Sequence, residues 1–62
     1  MSYFDYKSVF CGVAEYCEGH YTTEDCKGIT DELRTWAQDS NAECHSVDDI
    51  PYDVFQDIVQ NY

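Results

Sequence analysis

Apolar side chains return every three or four residues through three separate blocks of this chain, a period that only a helix can turn into one buried face. In the first block Tyr3, Tyr6, Phe10, Val13, Ala14 and Cys17 form a stripe with Val9 on its edge, and Gly19 and His20 end it. Phe4 and Cys11 fall on the opposite side of that wheel, so another element covers them or they are exposed for a partner. Gly12 inside the block costs about 1 kcal/mol relative to Ala. The second block opens with Thr22 or Thr23 as N-cap and with Glu24 and Asp25 in the first turn, where carboxylates complement the helix dipole. Cys26, Ile29, Leu33, Trp36 and Ala37 follow as a stripe at i, i+3, i+4 and i+7, and Asp39-Ser-Asn41 closes it with turn-forming residues. Gly28 on its polar side allows regular helix to begin only near Thr30. In the third block Pro51 fits a first helical turn, and Val54, Phe55, Ile58 and Tyr62 share one face. The spacing therefore predicts an all-α, three-helix domain over 1–62, with helices at about 3–18, 23–39 and 50–61. The alternative is an α+β fold with a short strand near 42–47, where Ala42 to Val47 alternate weakly. A lone strand has no partner visible in the sequence, which favours an extended connector there. Trp36, Leu33, Ile29, Phe10 and Val13 are the expected core.

The charge carried by these helices is one-sided: 13 Asp and Glu against 3 Lys and Arg in 62 residues, a formal net charge of −10. Acidic chains that stay disordered lack aromatics, whereas this one has six Tyr, three Phe and one Trp. It is read as folded. At this length the core is marginal, burying about 60% of the unfolded chain's surface, so a homodimer would add stability. Met-Ser-Tyr-Phe-Asp-Tyr-Lys has no positive region followed by an apolar stretch, and no segment has membrane-spanning length. A cytoplasmic protein without membrane association is expected. In that setting Cys11, Cys17, Cys26 and Cys44 act mainly as small hydrophobes, with disulfides and metal as the lesser readings. Cys11, Cys17, His20, Cys26, Cys44 and His45 contain no C-x₂₋₄-C unit, the spacing that sets two thiolates on one zinc. On a first helix, Cys11 and Cys17 lie about 120° apart. No metal and no cofactor is expected.

Where the acids fall sharpens this. Asp49, Asp53 and Asp57 are spaced by four, so an N-terminally extended third helix would line them up; Asp25, Glu32 and Asp39 are spaced by seven along the second, with Glu24 and Asp31 beside them. Like charges at i, i+4 cost about 0.2–0.5 kcal/mol per pair, and only Lys7, Lys27 and Arg34 can relieve them. A solvated face is the plain reading, and Asp48, Asp49 and Asp53 also suit the positive end of a helix dipole. The sharper reading is that the rows imitate DNA phosphates. Such a surface repels nucleic acid itself and attracts a basic DNA-binding protein. Several of the six tyrosines must then lie at the surface as anchors, with Tyr52 and Phe55 the candidates for aromatic contact.

Glu43-Cys-His-Ser-Val-Asp-Asp-Ile50 followed by Pro51-Tyr-Asp-Val54 resembles the motif region of phage-type and staphylococcal uracil-DNA glycosylase inhibitors. In that family a Glu and a Ser precede a short apolar and acidic run that opens a helix, and the acidic segment mimics phosphates. The resemblance covers about a fifth of the chain. It implies that Glu43 and Ser46 face the enzyme's phosphate-binding edge and that Asp48, Asp49 and Asp53 add acceptors. Those inhibitors carry a multistranded sheet, which this chain is too short and too helical to hold, and His45 stands where an acid would be expected. The fold is therefore expected to differ.

An enzyme is the first rival. His20 and His45 have no Ser–Asp or Cys–Asn constellation, there is no Gly-rich phosphate loop, and carboxylates are too abundant to single out a pair. A Cys17–His20 pair at i, i+3 reads more simply as a capping His beside a core Cys. A zinc-stabilised interaction module is the second rival. The sequence points instead to a non-enzymatic DNA-mimic inhibitor that occupies the groove of a host enzyme, in the host cytoplasm if phage-encoded. Uracil-DNA glycosylase is the first target, and restriction, CRISPR or recombination nucleases are the alternatives. Glu43, Asp49, Asp53 and Asp57 are the leading phosphate mimics, with Asp25, Glu32 and Asp39 as a second row.

Overall fold

A computed structural model describes residues 3–62, in which three helices, α1 (Tyr6–Tyr16), α2 (Thr23–Asp39) and α3 (Tyr52–Val59), pack around one core. The all-α, three-helix fold is as the periodicity predicts. α1 packs on α2, α2 packs on α3, and a 3₁₀ turn at Val47–Asp49 closes against α1.

α2 is the longest element because both of its ends are chemically specified. At its start the Asp25 N–H donates to Thr22 Oγ1 (3.1 Å) and the Thr22 N–H donates to Asp25 Oδ2 (3.3 Å), a reciprocal capping box. That box starts the helix at Thr23, so Gly28 does not delay it. At its end Asn41 takes a left-handed conformation (φ 53°), and the Ala42 and Asn41 N–H groups donate to the Ala37 and Gln38 carbonyls (2.8 and 3.3 Å). This is the Schellman pattern, and Asn tolerates its left-handed position better than most residues. Between the ends Cys26, Ile29, Leu33 and Ala37 are buried, and Thr30 beside them donates its hydroxyl to the Cys26 carbonyl (2.7 Å).

α1 is shorter than the periodicity implies, because the Asp5 side chain caps it by accepting from the Ser8 N–H (3.1 Å). Tyr3 and Phe4 are thus left outside, where the backbone pairs with the connector. Cys44 N–H donates to the Tyr3 carbonyl and Asp5 N–H to the Cys44 carbonyl, both at 2.8 Å, making one isolated parallel bridge between Phe4 and Cys44. The strand alternative near 42–47 reduces to that single bridge. Val9, expected on the stripe's edge, is fully buried with Val13, whereas Phe10 and Trp36, expected in the core, are only half-buried against it.

α3 does not extend back to residue 50. Proline disfavours helical backbone at the residue before it, and Ile50 is extended (φ −98°, ψ 128°), which separates the 3₁₀ turn from α3. Pro51 is the N-cap rather than a first-turn residue, and α3 buries Phe55 and Val59. Tyr62 lies beyond the helix instead of continuing its apolar face. All four cysteines are free thiols; Cys17, Cys26 and Cys44 are buried and Cys11 is exposed. Burial pushes the Cys17 and Cys44 thiols up, so they are neutral core groups. No helix among the described residues is long and apolar enough to cross a membrane.

Candidate functional site

The helix ends sort the acidic residues. Asp5 caps α1, Glu24 and Asp25 open α2, Asp48 and Asp49 open the 3₁₀ turn, and Asp53 opens α3. Each of these sits where a helix start favours negative charge, so local structure accounts for it. Asp39 and Asp57 do not fit that account. Asp39 is the last residue of α2 and Asp57 lies in the last turn of α3, at ends that repel carboxylates, and neither last turn holds a basic residue.

These two acids share a groove between α2 and α3. Glu32, Asp39 and Asp57 line it together with Thr35, Trp36, Val54 and Ile58, around a volume of about 450 Å³. The lining thus joins three carboxylates to an aromatic and two aliphatic side chains, and none of Lys7, Lys27 and Arg34 is part of it. Arg34 is occupied on the other side of α2, 3.7 Å from Asp31 and with its guanidinium 5.2 Å from the centre of the Tyr6 ring. Among the described residues it makes the one ion pair between a Lys or Arg and a carboxylate. Glu32 accepts a hydrogen bond from the Tyr62 hydroxyl; that bond, burial and the Glu32 charge push Tyr62 up to about 12. Tyr62 closes over Gly28, where an added Cβ would stand 2.7 Å from its hydroxyl oxygen.

The other residues singled out from the sequence are dispersed. Asp25 is committed to the capping box and half-buried, so the spacing-by-seven row contributes only Glu32 and Asp39 to the groove. Asp49 is cut off from Asp53 and Asp57 by Ile50 and Pro51, and its Oδ2 accepts from the His45 N–H (2.8 Å); the line of three does not form. Ser46 caps the 3₁₀ turn by accepting from the Asp48 N–H (3.3 Å). Glu43 is exposed, with Oε2 3.9 Å from His45 Nε2. Asp53 is exposed at the start of α3. Tyr52 is 72% exposed, available for contact as expected, but Phe55 is a core residue, 5% exposed, with the Tyr16 ring edge-on at 4.8 Å. Phe55 is buried because α3 turns it toward the Tyr16 ring of α1, so its ring is not exposed for aromatic contact with a partner.

A second, smaller pocket of about 250 Å³ lies on the α1 side of α3, lined by Gly12, Tyr16, Val47, Asp48, Ile50, Tyr52 and Phe55. Tyr16 there is half-exposed and accepts a hydrogen bond from Gln56 Nε2 (2.6 Å). Sequence reasoning missed Tyr16, and it missed the groove-lining role of Trp36, Val54 and Ile58 by assigning them to buried stripes. Their spacing held the signal: Glu32, Trp36 and Asp39 stand at i, i+4 and i+7, and Val54, Asp57 and Ile58 at i, i+3 and i+4, so each trio shares one helix face. Among the described residues no three His, Cys, Asp or Glu side chains gather where one metal ion could be held. No protein family, curated protein or solved structure matches the chain.

Proposed function

We propose that this protein is an acidic DNA mimic that inhibits a DNA-binding enzyme by occupying its basic groove. The carrying observation is the placement of acids beyond what helix starts explain: Asp39, Asp57 and Glu32 line one groove with no cation among its lining residues. Acids at helix C-termini are not confined to the groove, since Glu15 and Glu18 stand at the end of α1, but Asp39 and Asp57 are brought onto one lining with Glu32. The molecule is 33 Å long and carries a net −10, so 33/10 gives about 3.3 Å per charge, about half the charge density of duplex DNA at one charge per about 1.7 Å. On the α1 side of α3 the exposed rings of Tyr52 and Tyr16 supply apolar contact beside Asp48.

Within that class uracil-DNA glycosylase is the first target to test, on the resemblance of residues 43–54, followed by restriction, CRISPR and recombination nucleases. Glu43, Asp48 and Asp53 are exposed and accessible to such a partner. The test is a panel of these enzymes, each assayed for DNA binding and turnover against increasing inhibitor. Loss of DNA binding that added duplex restores is the expected result. An enzyme that binds the protein tightly while its DNA binding is undisturbed would sink the proposal.

A further inference from the structure

We propose that the groove between α2 and α3 receives an arginine side chain of the partner, carried on a short segment that also places an apolar residue against Trp36, Val54 and Ile58. The proposal rests on the mimic reading for what bears that segment, a basic DNA-binding protein, and adds the chemistry by which the groove selects it.

The lining decides between occupants. Glu32, Asp39 and Asp57 exclude an anion, a nucleic acid strand and a second copy of this chain, whose net charge is also −10. A wholly apolar segment would leave those carboxylates desolvated without partners, which is costly. A strongly hydrated ammonium gains little from Trp36, Val54 and Ile58. Guanidinium is planar and weakly hydrated, stacks on aromatic rings and pairs with carboxylates through two parallel hydrogen bonds, so it matches both halves of the lining. The volume of about 450 Å³ falls within the range of ligand pockets and exceeds what one side chain fills, which leaves room for a neighbouring apolar residue.

Two features of the fold fit this occupant. Asp39 and Asp57 stand at helix ends that disfavour them, so a cation that neutralises both relieves repulsion already present. Tyr62, by donating to Glu32, places a phenol at that carboxylate, on the rim of the groove's acidic lining. Asp57 also accepts from Gln60 Nε2 (3.2 Å), a surface contact that an incoming guanidinium can replace.

Trp36 is the chain's one tryptophan, so the groove carries its own fluorophore. The experiment titrates the full chain with a short capped peptide alternating Arg and Leu, following Trp36 emission and calorimetric heat. Parallel titrations use the same peptide with Lys, and with citrulline, in place of Arg. The expected result is a saturable change in Trp36 emission with the Arg peptide, binding weaker by about fivefold or more with Lys, and none with citrulline. Asp39→Asn with Asp57→Asn should weaken the Arg peptide by about tenfold or more. Glu15→Gln with Glu18→Gln removes the same charge from the end of α1, outside the groove, and should leave affinity within about twofold. Equal binding of the Lys and Arg peptides, equal losses in the two double variants, or heat without any change in Trp36 emission would each overturn the groove assignment. The mimic reading fails separately. Displacement of DNA from a target that survives Asp39→Asn with Asp57→Asn unweakened overturns the groove alone, and peptide binding at the groove with no DNA displacement from any enzyme of the panel overturns the mimic alone.

Discussion

Gly12 fixes how closely α1 approaches the 3₁₀ turn. A Cβ there would stand 2.5 Å from Cγ1 and 2.8 Å from Cβ of Val47, and a β-branched side chain cannot swing aside as a flexible one can. The glycine that looks like a helix defect in the sequence is required by packing. Gly12→Ala should therefore destabilise the fold by about 1–3 kcal/mol through overpacking, against a gain in helix propensity of about 1 kcal/mol. Urea denaturation measures the balance, and unchanged or higher stability would show that the turn yields freely. Tyr62 offers a second residue-scale test. Its folded-state value of about 12 lies above the ordinary phenol value of about 10, so the neutral form is favoured by folding. The stabilisation is complete below pH of about 10 and is lost as pH rises toward about 12. In a tyrosinate absorbance titration Tyr62→Phe should remove the latest-ionising ring, and Glu32→Gln should draw Tyr62 back toward the ordinary value. An identical alkaline tail in Tyr62→Phe would mean that the hydroxyl does not hold this bond.

At the scale of elements, helix ends carry both stability and information. Thr22→Ala breaks the capping box and should cost about 1 kcal/mol in thermal or chemical unfolding. Asp39→Asn should act the other way, stabilising α2 by about 0.3–1 kcal/mol at low salt while weakening the target complex. Opposite signs in the two assays would mark Asp39 as a contact acid, and a loss of fold stability would return it to a structural role. Both ends of α2 were legible because their signals are local: Thr22 with Asp25 at one end, and Asn41 two residues past Asp39 at the other. α1 was overextended because the apolar stripe through Tyr3 outruns the cap at Asp5, and the backbone bridge of Phe4 to Cys44 is a long-range pairing that no local period encodes. The start of α3 is legible in the sequence, since Pro51 disfavours a helical Ile50 and with it the line through Asp49. The groove was half legible. Its acids stand out by charge and spacing, but a stripe specifies a face and not a depth, so Trp36, Val54 and Ile58 read as core until α3 is set against α2.

For the molecule as a whole, one charge excess acts on two equilibria with opposite sign in salt. Within the fold, a net −10 on a chain 33 Å long repels itself, and only Arg34 with Asp31 relieves it by a Lys or Arg pair among the described residues. Screening weakens this repulsion once the Debye length falls to about 8–10 Å near physiological ionic strength, so the unfolding midpoint should rise as salt is added from a low level. Between this protein and a basic groove the same screening removes attraction, so the inhibition constant should rise over the same range. The association rate should fall more steeply than the dissociation rate increases, because steering acts at long range. Following both quantities in one salt series separates mimicry from mere tolerance of charge. A solvated acidic surface predicts the rise in thermal stability alone, whereas a phosphate mimic requires the loss of inhibition beside it. Inhibition that is constant while the midpoint climbs would assign the binding energy to Tyr16, Tyr52 and the pocket beside them, and would leave the acids as a cost the fold carries without using them in recognition.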